Sequence, residues 1–257
     1  MYNMITLPNL PERPKKPRDR GLTMVMDKGI SFQEAEMLIE SSSKFIDIIK
    51  FGFGTALVSD NIKNKIKLYK KHNIKTYLGG TLFEAFVVRN MFVEYCNLLK
   101  DLEIDTVEIS DGSIQLDHNK KCEYINKLSS NGMTVFSEVG YKSASKIMAP
   151  SKWIKLMSKE IEAGSWKVIA EARESGNVGL YRSGGEVRSD LIEEILTKIE
   201  KDKILWEAPK KQQQVFFIKL LGANVNLGNI GTNDVIPLEC LRQGLRSDTF
   251  FNFLNVE

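Results

Sequence analysis

Thr106-Val107-Glu108-Ile109-Ser110-Asp111 and Thr134-Val135-Phe136-Ser137-Glu138-Val139-Gly140 flank a helical stretch at 119–130, and this pair of runs decides the fold. Each run is short, apolar and β-branched. Each carries a glutamate near its C-terminal end and stops at a turn. Two such strands joined by a helix make the unit of a parallel sheet, because parallel neighbours need a crossover connection. Working outward, the unit repeats. Strands are expected at 22–26, 45–51, 76–78, 106–110, 134–139, 167–172, 204–207 and 224–227. Ser31-Phe32-Gln33-Glu34 is a capping box that launches a helix over 35–41. Further helical patterns lie near 60–72, 84–100, 119–130, 151–163, 188–200, 210–221 and 234–244. Eight strand–helix units are the number that closes a barrel. The alternative is an open doubly wound sheet, but no GxGxxG follows the first strand, where a dinucleotide fold places it. The expectation is a single α/β domain, a (β/α)8 TIM-type barrel over residues 21–257. Before it, residues 1–20 hold four of the seven prolines and read as an extended arm. Its basic run, Arg13-Pro14-Lys15-Lys16-Pro17-Arg18, reads as solvated.

Composition narrows the chemistry. The chain has 257 residues, 42% hydrophobic content and a net charge of +3, which suits one large domain. No basic stripe is interleaved with aromatics, so no nucleic-acid partner is expected. Cys96, Cys122 and Cys240 lie far apart without CxxC spacing, against a disulfide framework or zinc knuckle. The two histidines, His72 and His118, read as surface residues, and their scarcity argues against Ser-His-Asp triads and HExxH metal sites. No apolar run approaches a membrane span and no signal peptide opens the chain, so a cytoplasmic protein is expected. The arm suggests subunit contacts, hence a possible homo-oligomer.

Catalytic groups of a barrel come from the C-terminal ends of its strands. Here those ends carry Lys50, Glu108, Glu138, Glu171, Glu207 and Asn226 at matching levels. Four glutamates on four consecutive strands, pointing inward, would repel one another; buried charge must be paired or bind metal. Lys50, Lys142 and Arg173 could neutralise part of it. All-oxygen ligands without His or Cys select Mg2+. Candidate ligands are Glu108, Asp111, Glu138 and Glu171. The plainer alternative is that each glutamate pairs with a loop lysine. Glycine-rich turns, among them 52–55, 79–81, 176–179, 183–185 and 228–231, let backbone amides approach an anion, although tight turns explain glycine equally. Phosphate sites of barrels favour the loops after strands seven and eight, which singles out Asn226, Gly228 and Asn229, with Glu207 beside them. Arg242 and Arg246, four apart, read as a carbonyl cap or salt bridge.

Together, Lys50-Phe51-Gly52-Phe53-Gly54-Thr55, Gly79-Gly80-Thr81-Leu82-Phe83-Glu84, Glu108-Ile109-Ser110-Asp111-Gly112, Ser137-Glu138-Val139-Gly140-Tyr141-Lys142, Glu171-Ala172-Arg173-Glu174-Ser175-Gly176, Glu207-Ala208-Pro209, Asn224-Val225-Asn226-Leu227-Gly228-Asn229-Ile230 and Gly244-Leu245-Arg246-Ser247-Asp248-Thr249 resemble the phosphosulfolactate synthase family, across roughly residues 15–254. Phe53 stands where many members carry Trp. The family includes plant heat-stress-associated relatives. The resemblance implies a lyase: Mg2+-dependent addition of sulfite to phosphoenolpyruvate, giving (2R)-3-sulfolactate 2-phosphate, which in methanogens opens coenzyme M biosynthesis. On that reaction, Lys142 is the candidate acid, and Lys50 and Arg173 would hold phosphate, carboxylate or sulfite. Two alternatives stay open. One is a Schiff-base aldolase using Lys50 or Lys142; the other is a non-catalytic heat-stress-type barrel.

Overall fold

Alternation of strand and helix persists through the chain in the computed structural model, which describes residues 7–141, 148–173 and 175–254. The strands are β1 (Thr23–Asp27), β2 (Ile48–Phe51), β3 (Lys75–Leu78), β4 (Thr106–Ile109), β5 (Thr134–Val139), β6 (Lys167–Ala170), β7 (Ile204–Glu207) and β8 (Leu227–Ile230). Helices between and after them are α1 (Phe32–Ser42), α2 (Thr55–Val58), α3 (Ile62–Lys71), α4 (Gly80–Val87), α5 (Phe92–Asp101), α6 (His118–Ser130), α7 (Pro150–Glu162), α8 (Ser189–Leu196), α9 (Lys211–Leu221) and α10 (Val235–Arg242). All ladders are parallel and run β3-β2-β1-β8-β7-β6-β5-β4. β3 and β4 lie side by side at the seam, so the sheet closes into a nearly complete (β/α)8 barrel.

Local signals explain where the elements start. Ser31 Oγ accepts from the Glu34 N–H at 3.2 Å, and the Glu34 carboxylate accepts from the Ser31 N–H at 2.7 Å, the reciprocal box expected for α1. Asp117 caps α6 by accepting from the Asn119 and Lys120 amides. Pro150 opens α7, where its missing N–H costs nothing. Strand residues then alternate between two cores. Val25, Ile49, Val107, Val135, Val168 and Trp206 face the helices. Leu22, Met24, Ile48, Tyr77, Phe136, Ile169 and Leu205 fill the barrel interior, with Tyr77 stacked on Phe136 at 5.4 Å.

Three expectations change. Strand eight begins at Leu227 rather than at 224, because residues 223–226 form the barrel floor. Asn226 accepts from the Leu22 N–H at 3.1 Å and donates to the carbonyls of Ile204 and Asp202. Arg242, fully buried, donates to the carbonyls of Ala223, Val225 and Leu22, which is the carbonyl-capping role expected of it. The helix expected over 84–100 breaks at Val88–Met91, where Asn90 takes a φ of 58°. That reversal brings Phe92 and Tyr95 back onto Phe83. Finally, the basic run at 13–18 is docked rather than solvated. Arg13 reaches Glu239 and Asn224, Lys16 donates to the carbonyls of Ser43 and Ile46, and Arg18 forks onto Asp47 at 2.9 Å. Among the described residues no helix is long and apolar enough to cross a membrane.

Candidate active site

One residue pair above the apolar interior, the same strands turn polar. Ile48 is followed by Lys50, Phe136 by Glu138, Ile169 by Glu171 and Leu205 by Glu207, all inward by the period of two. With Glu108 of β4 they form a ring in which each of the four glutamates is at most 3% exposed. The ring lines a cavity of about 300 Å3 at the C-terminal ends of the strands, with Met26, Phe53, Gly79, Gly80, Thr81, Ser113, Arg173 and Asn229 as the remaining wall.

Glu108 is spent on structure. Its Oε1 accepts from the Gly80 N–H at 2.6 Å across the β3–β4 seam, and its Oε2 pairs with Lys50 Nζ at 2.9 Å. Glu84 completes the seam by accepting from the Ser110 hydroxyl and, at 3.0 Å, from the Ser113 N–H. Gly80 is glycine for packing: a Cβ there would meet Glu108 Oε1 at 2.6 Å. Lys50 also faces Glu207 at 3.4 Å and Glu138 at 3.8 Å. Burial works against its charge, but Glu108, Glu207 and Glu138 overcome this and hold the ammonium well above the usual lysine range. Burial pushes the Glu207 carboxyl up to about 7; Lys50 opposes the shift and the neighbouring glutamates add to it.

Glu138, Glu171 and Glu207 each offer a carboxylate oxygen, all within 4.8 Å of one another. Among the described residues, Glu108, Glu138 and Glu207 face the buried Lys50 ammonium and Glu171 lies beside them, so several like charges are held together in a low-dielectric setting. An all-oxygen trio with that charge fits a hard divalent cation such as Mg2+. Glu207 Oε2 is held by the Ala172 N–H at 2.8 Å and Glu171 Oε1 by the Arg173 N–H at 2.5 Å, so the loop after β6 orients two members of the trio.

The structure brings together Lys50, Glu108, Glu138, Glu171, Glu207, Arg173 and Asn229. It sets three others apart. Asp111 turns outward to Lys121 at 2.9 Å, between barrel and helices. Asn226 sits at the opposite end of the barrel, on the floor. Gly228 lies inside the barrel, where a Cβ would meet Met24 Cε at 2.8 Å, so its smallness serves packing. Lys142 lies outside the described residues. Asn229, 5% exposed, has an amide oxygen without a hydrogen-bond partner among the described residues and also lines a second cavity, of about 360 Å3, with Lys28, Gly231, Thr232 and Asn233. Phe53, Arg173 and Asn229 all line the ring cavity, and all take positive φ (39°, 57° and 56°). Non-glycine residues rarely adopt that backbone, and such strain clusters at functional sites.

Sequence reasoning passed over Tyr77. It is fully buried beneath the ring, and burial with Glu108, Glu207 and Glu138 nearby keeps its phenol protonated far above the usual range. Its inward parity, opposite Lys50 in the β2–β3 ladder, is the signal that could have found it. His118, read as a surface residue, instead lies 3.7 Å from the buried Glu160.

A parallel barrel with polar side chains gathered in a cavity at the C-terminal ends of its strands is the architecture of a barrel enzyme. Comparison with known proteins makes this particular. Residues 11–248 match the family described as (2R)-phospho-3-sulfolactate synthase (ComA), and the chain belongs to that family, as an enzyme. It is 40% identical to the phosphosulfolactate synthase of Methanothermobacter thermautotrophicus over 93% of this chain and 95% of that protein. It is also 40% identical to the phosphosulfolactate synthase of Bacillus subtilis, over 94% of this chain and 97% of that one. Among solved structures, 3-hexulose-6-phosphate synthase from Salmonella typhimurium superposes with a TM-score of 0.54, covering 85% of this chain and 98% of that chain. At 16% identity it supports the barrel fold alone.

Proposed function

We propose that the chain adds sulfite to C3 of phosphoenolpyruvate with Mg2+, giving (2R)-3-sulfolactate 2-phosphate. The carrying observation is the trio Glu138, Glu171 and Glu207, with Lys50 beside it, in a small cavity of a phosphosulfolactate synthase family member. Two anions must meet, so their repulsion has to be offset. Mg2+ held by the trio would supply positive charge against the substrate carboxylate, where electron density grows as sulfur bonds to C3. Lys50, kept protonated by its glutamates, adds a fixed positive charge at the same end. Arg173 at the cavity wall suits planar recognition of sulfite or carboxylate. The phosphate would lie toward Asn229 and Gly231, where the chain enters the short helical turn Thr232–Asp234 ahead of α10. As the C2=C3 π pair is released to C2, a proton arrives there from one face. Lys142, which follows Gly140-Tyr141 beyond β5, is assigned that donation.

The protonated state of Lys50 weighs against the Schiff-base alternative, since an ammonium is no nucleophile. Phosphorus NMR of protein mixed with phosphoenolpyruvate, sulfite and Mg2+ tests the proposal. A new phosphate ester that disappears with EDTA is expected, and Lys142→Ala should abolish it. Absence of any ester from folded protein would reject sulfite addition. Borohydride trapping with substrate would then decide for the aldolase.

A further inference from the structure

We propose that this enzyme also accepts organic sulfinates as the sulfur nucleophile, with the sulfinate group at Arg173 and Ser113 and the organic tail in the adjoining larger cavity. The inference rests on the sulfite-addition reading above. That larger cavity, about 830 Å3, opens beside the ring at the C-terminal ends of β4, β5 and β6. Arg173 and Ser113 line both spaces and so form the shared wall. The Arg173 guanidinium has no partner among the described residues, while its backbone is pinned by the Glu171 carboxylate. A cation so placed is available to a group at the junction.

The lining of the larger cavity names the rest of the ligand. Ile114, Leu116, Val139, Met148 and Leu156 give it an apolar surface. Its buried charges answer one another: Lys121 is held by Asp111 at 2.9 Å and Glu160 at 2.8 Å. Among the described residues, the exposed Lys152 donates to the Tyr141 hydroxyl at 2.9 Å and Asp117 caps α6, so an uncharged tail meets no unpaired buried charge there. Sulfite needs no such room. Cavities of roughly 300–1,000 Å3 are those that take organic ligands.

The chemistry balances without another reagent. The sulfinate sulfur lone pair forms the bond to C3. The C2=C3 π bond breaks toward C2, and C2 gains a proton from the acid that serves sulfite. The phosphate stays on its oxygen, nothing leaves, and the product is a sulfone. A sulfinate carries a single negative charge, so it meets less repulsion than the sulfite dianion.

The test supplies methanesulfinate or benzenesulfinate in place of sulfite, with phosphoenolpyruvate and Mg2+, and follows the sulfone phosphate ester by phosphorus NMR and mass spectrometry. Ester is expected from both. Leu116→Trp and Leu156→Trp, which fill the larger cavity, should each lower kcat/KM for benzenesulfinate about tenfold or more while sulfite turnover stays within about twofold. Sulfite turnover reports that each variant is folded. No ester from either sulfinate, by protein that turns over sulfite, would overturn the proposal. So would benzenesulfinate turnover that both tryptophans leave intact. Failure with sulfite as well would instead reject the sulfite-addition reading.

Discussion

Lys50 and Lys121 are both buried lysines held by carboxylates, yet they sit on opposite sides of the barrel wall and do different things. Lys121, between barrel and helices, donates to Asp111, to Glu160 and to the Glu138 carbonyl. Its three protons have three acceptors, and burial pushes Glu160 up to about 7, so the cluster comes close to neutral. Lys50, inside the barrel, faces Glu108, Glu138 and Glu207 with Glu171 nearby and a cavity above. There the carboxylates gather at the C-terminal ends of the strands. The lesson is that residue type does not separate a structural ion cluster from a reactive one; a place inside the barrel at the C-terminal ends of its strands does.

The largest expected effect breaks the reactive side. Glu171→Gln removes one member of the trio and should lower kcat/KM by about 10^3-fold or more, read in the phosphorus NMR assay. Loss of activity without loss of stability would mark Glu171 as a ligand rather than a prop. Next, Lys50→Met leaves three carboxylates without their counter-charge and should cost about 3–5 kcal/mol in urea unfolding. Because Mg2+ would take over part of that role, its addition should raise Tm more in this variant than in the wild type. Equal Mg2+ shifts would dissociate Lys50 from the metal.

The structural cluster should respond differently. Lys121→Met alone strands Asp111 and Glu160, but Lys121→Met with Glu160→Leu replaces the pair by apolar groups. The double variant should unfold within about 1–2 kcal/mol of the wild type and keep its turnover, since replacing a buried ion pair by packed apolar residues is often close to neutral. The smallest effect is in pH. Glu160 has a folded pKa of about 7 against a usual 4.5, so the fold binds the extra proton between those values. Its contribution is complete below pH 4.5 and is lost as pH rises through 7, on the order of 1–3 kcal/mol. Glu160→Gln should flatten that part of the stability–pH profile measured by denaturant titration.

Much of this was legible beforehand, for reasons of period. Alternation of two along β5, β6 and β7 puts Glu138, Glu171 and Glu207 on one face with Phe136, Ile169 and Leu205, so the inward ring follows from spacing. Ser31 and Glu34 announce α1 because their bonds are local. Asn226 misled for the same kind of reason. A polar residue beside valine and leucine looks like a strand end, and only long-range bonds to Leu22, Ile204 and Asp202 place it on the floor. The break between α4 and α5 was also hidden, since Val88–Met91 holds neither glycine nor proline and the reversal is favoured by Phe83 packing on Phe92 and Tyr95.

From residues alone came the eight strand–helix units and the inward glutamates, because each depends on neighbours within a turn or a strand. Which carboxylates meet is decided by the closure of the barrel. It brings Glu108 to Gly80 across the seam and leaves Glu138, Glu171 and Glu207 together. It turns Asp111 outward to Lys121 and joins the ring to a larger cavity at Arg173. Those distances are set by strands far apart in the chain, and no local pattern records them.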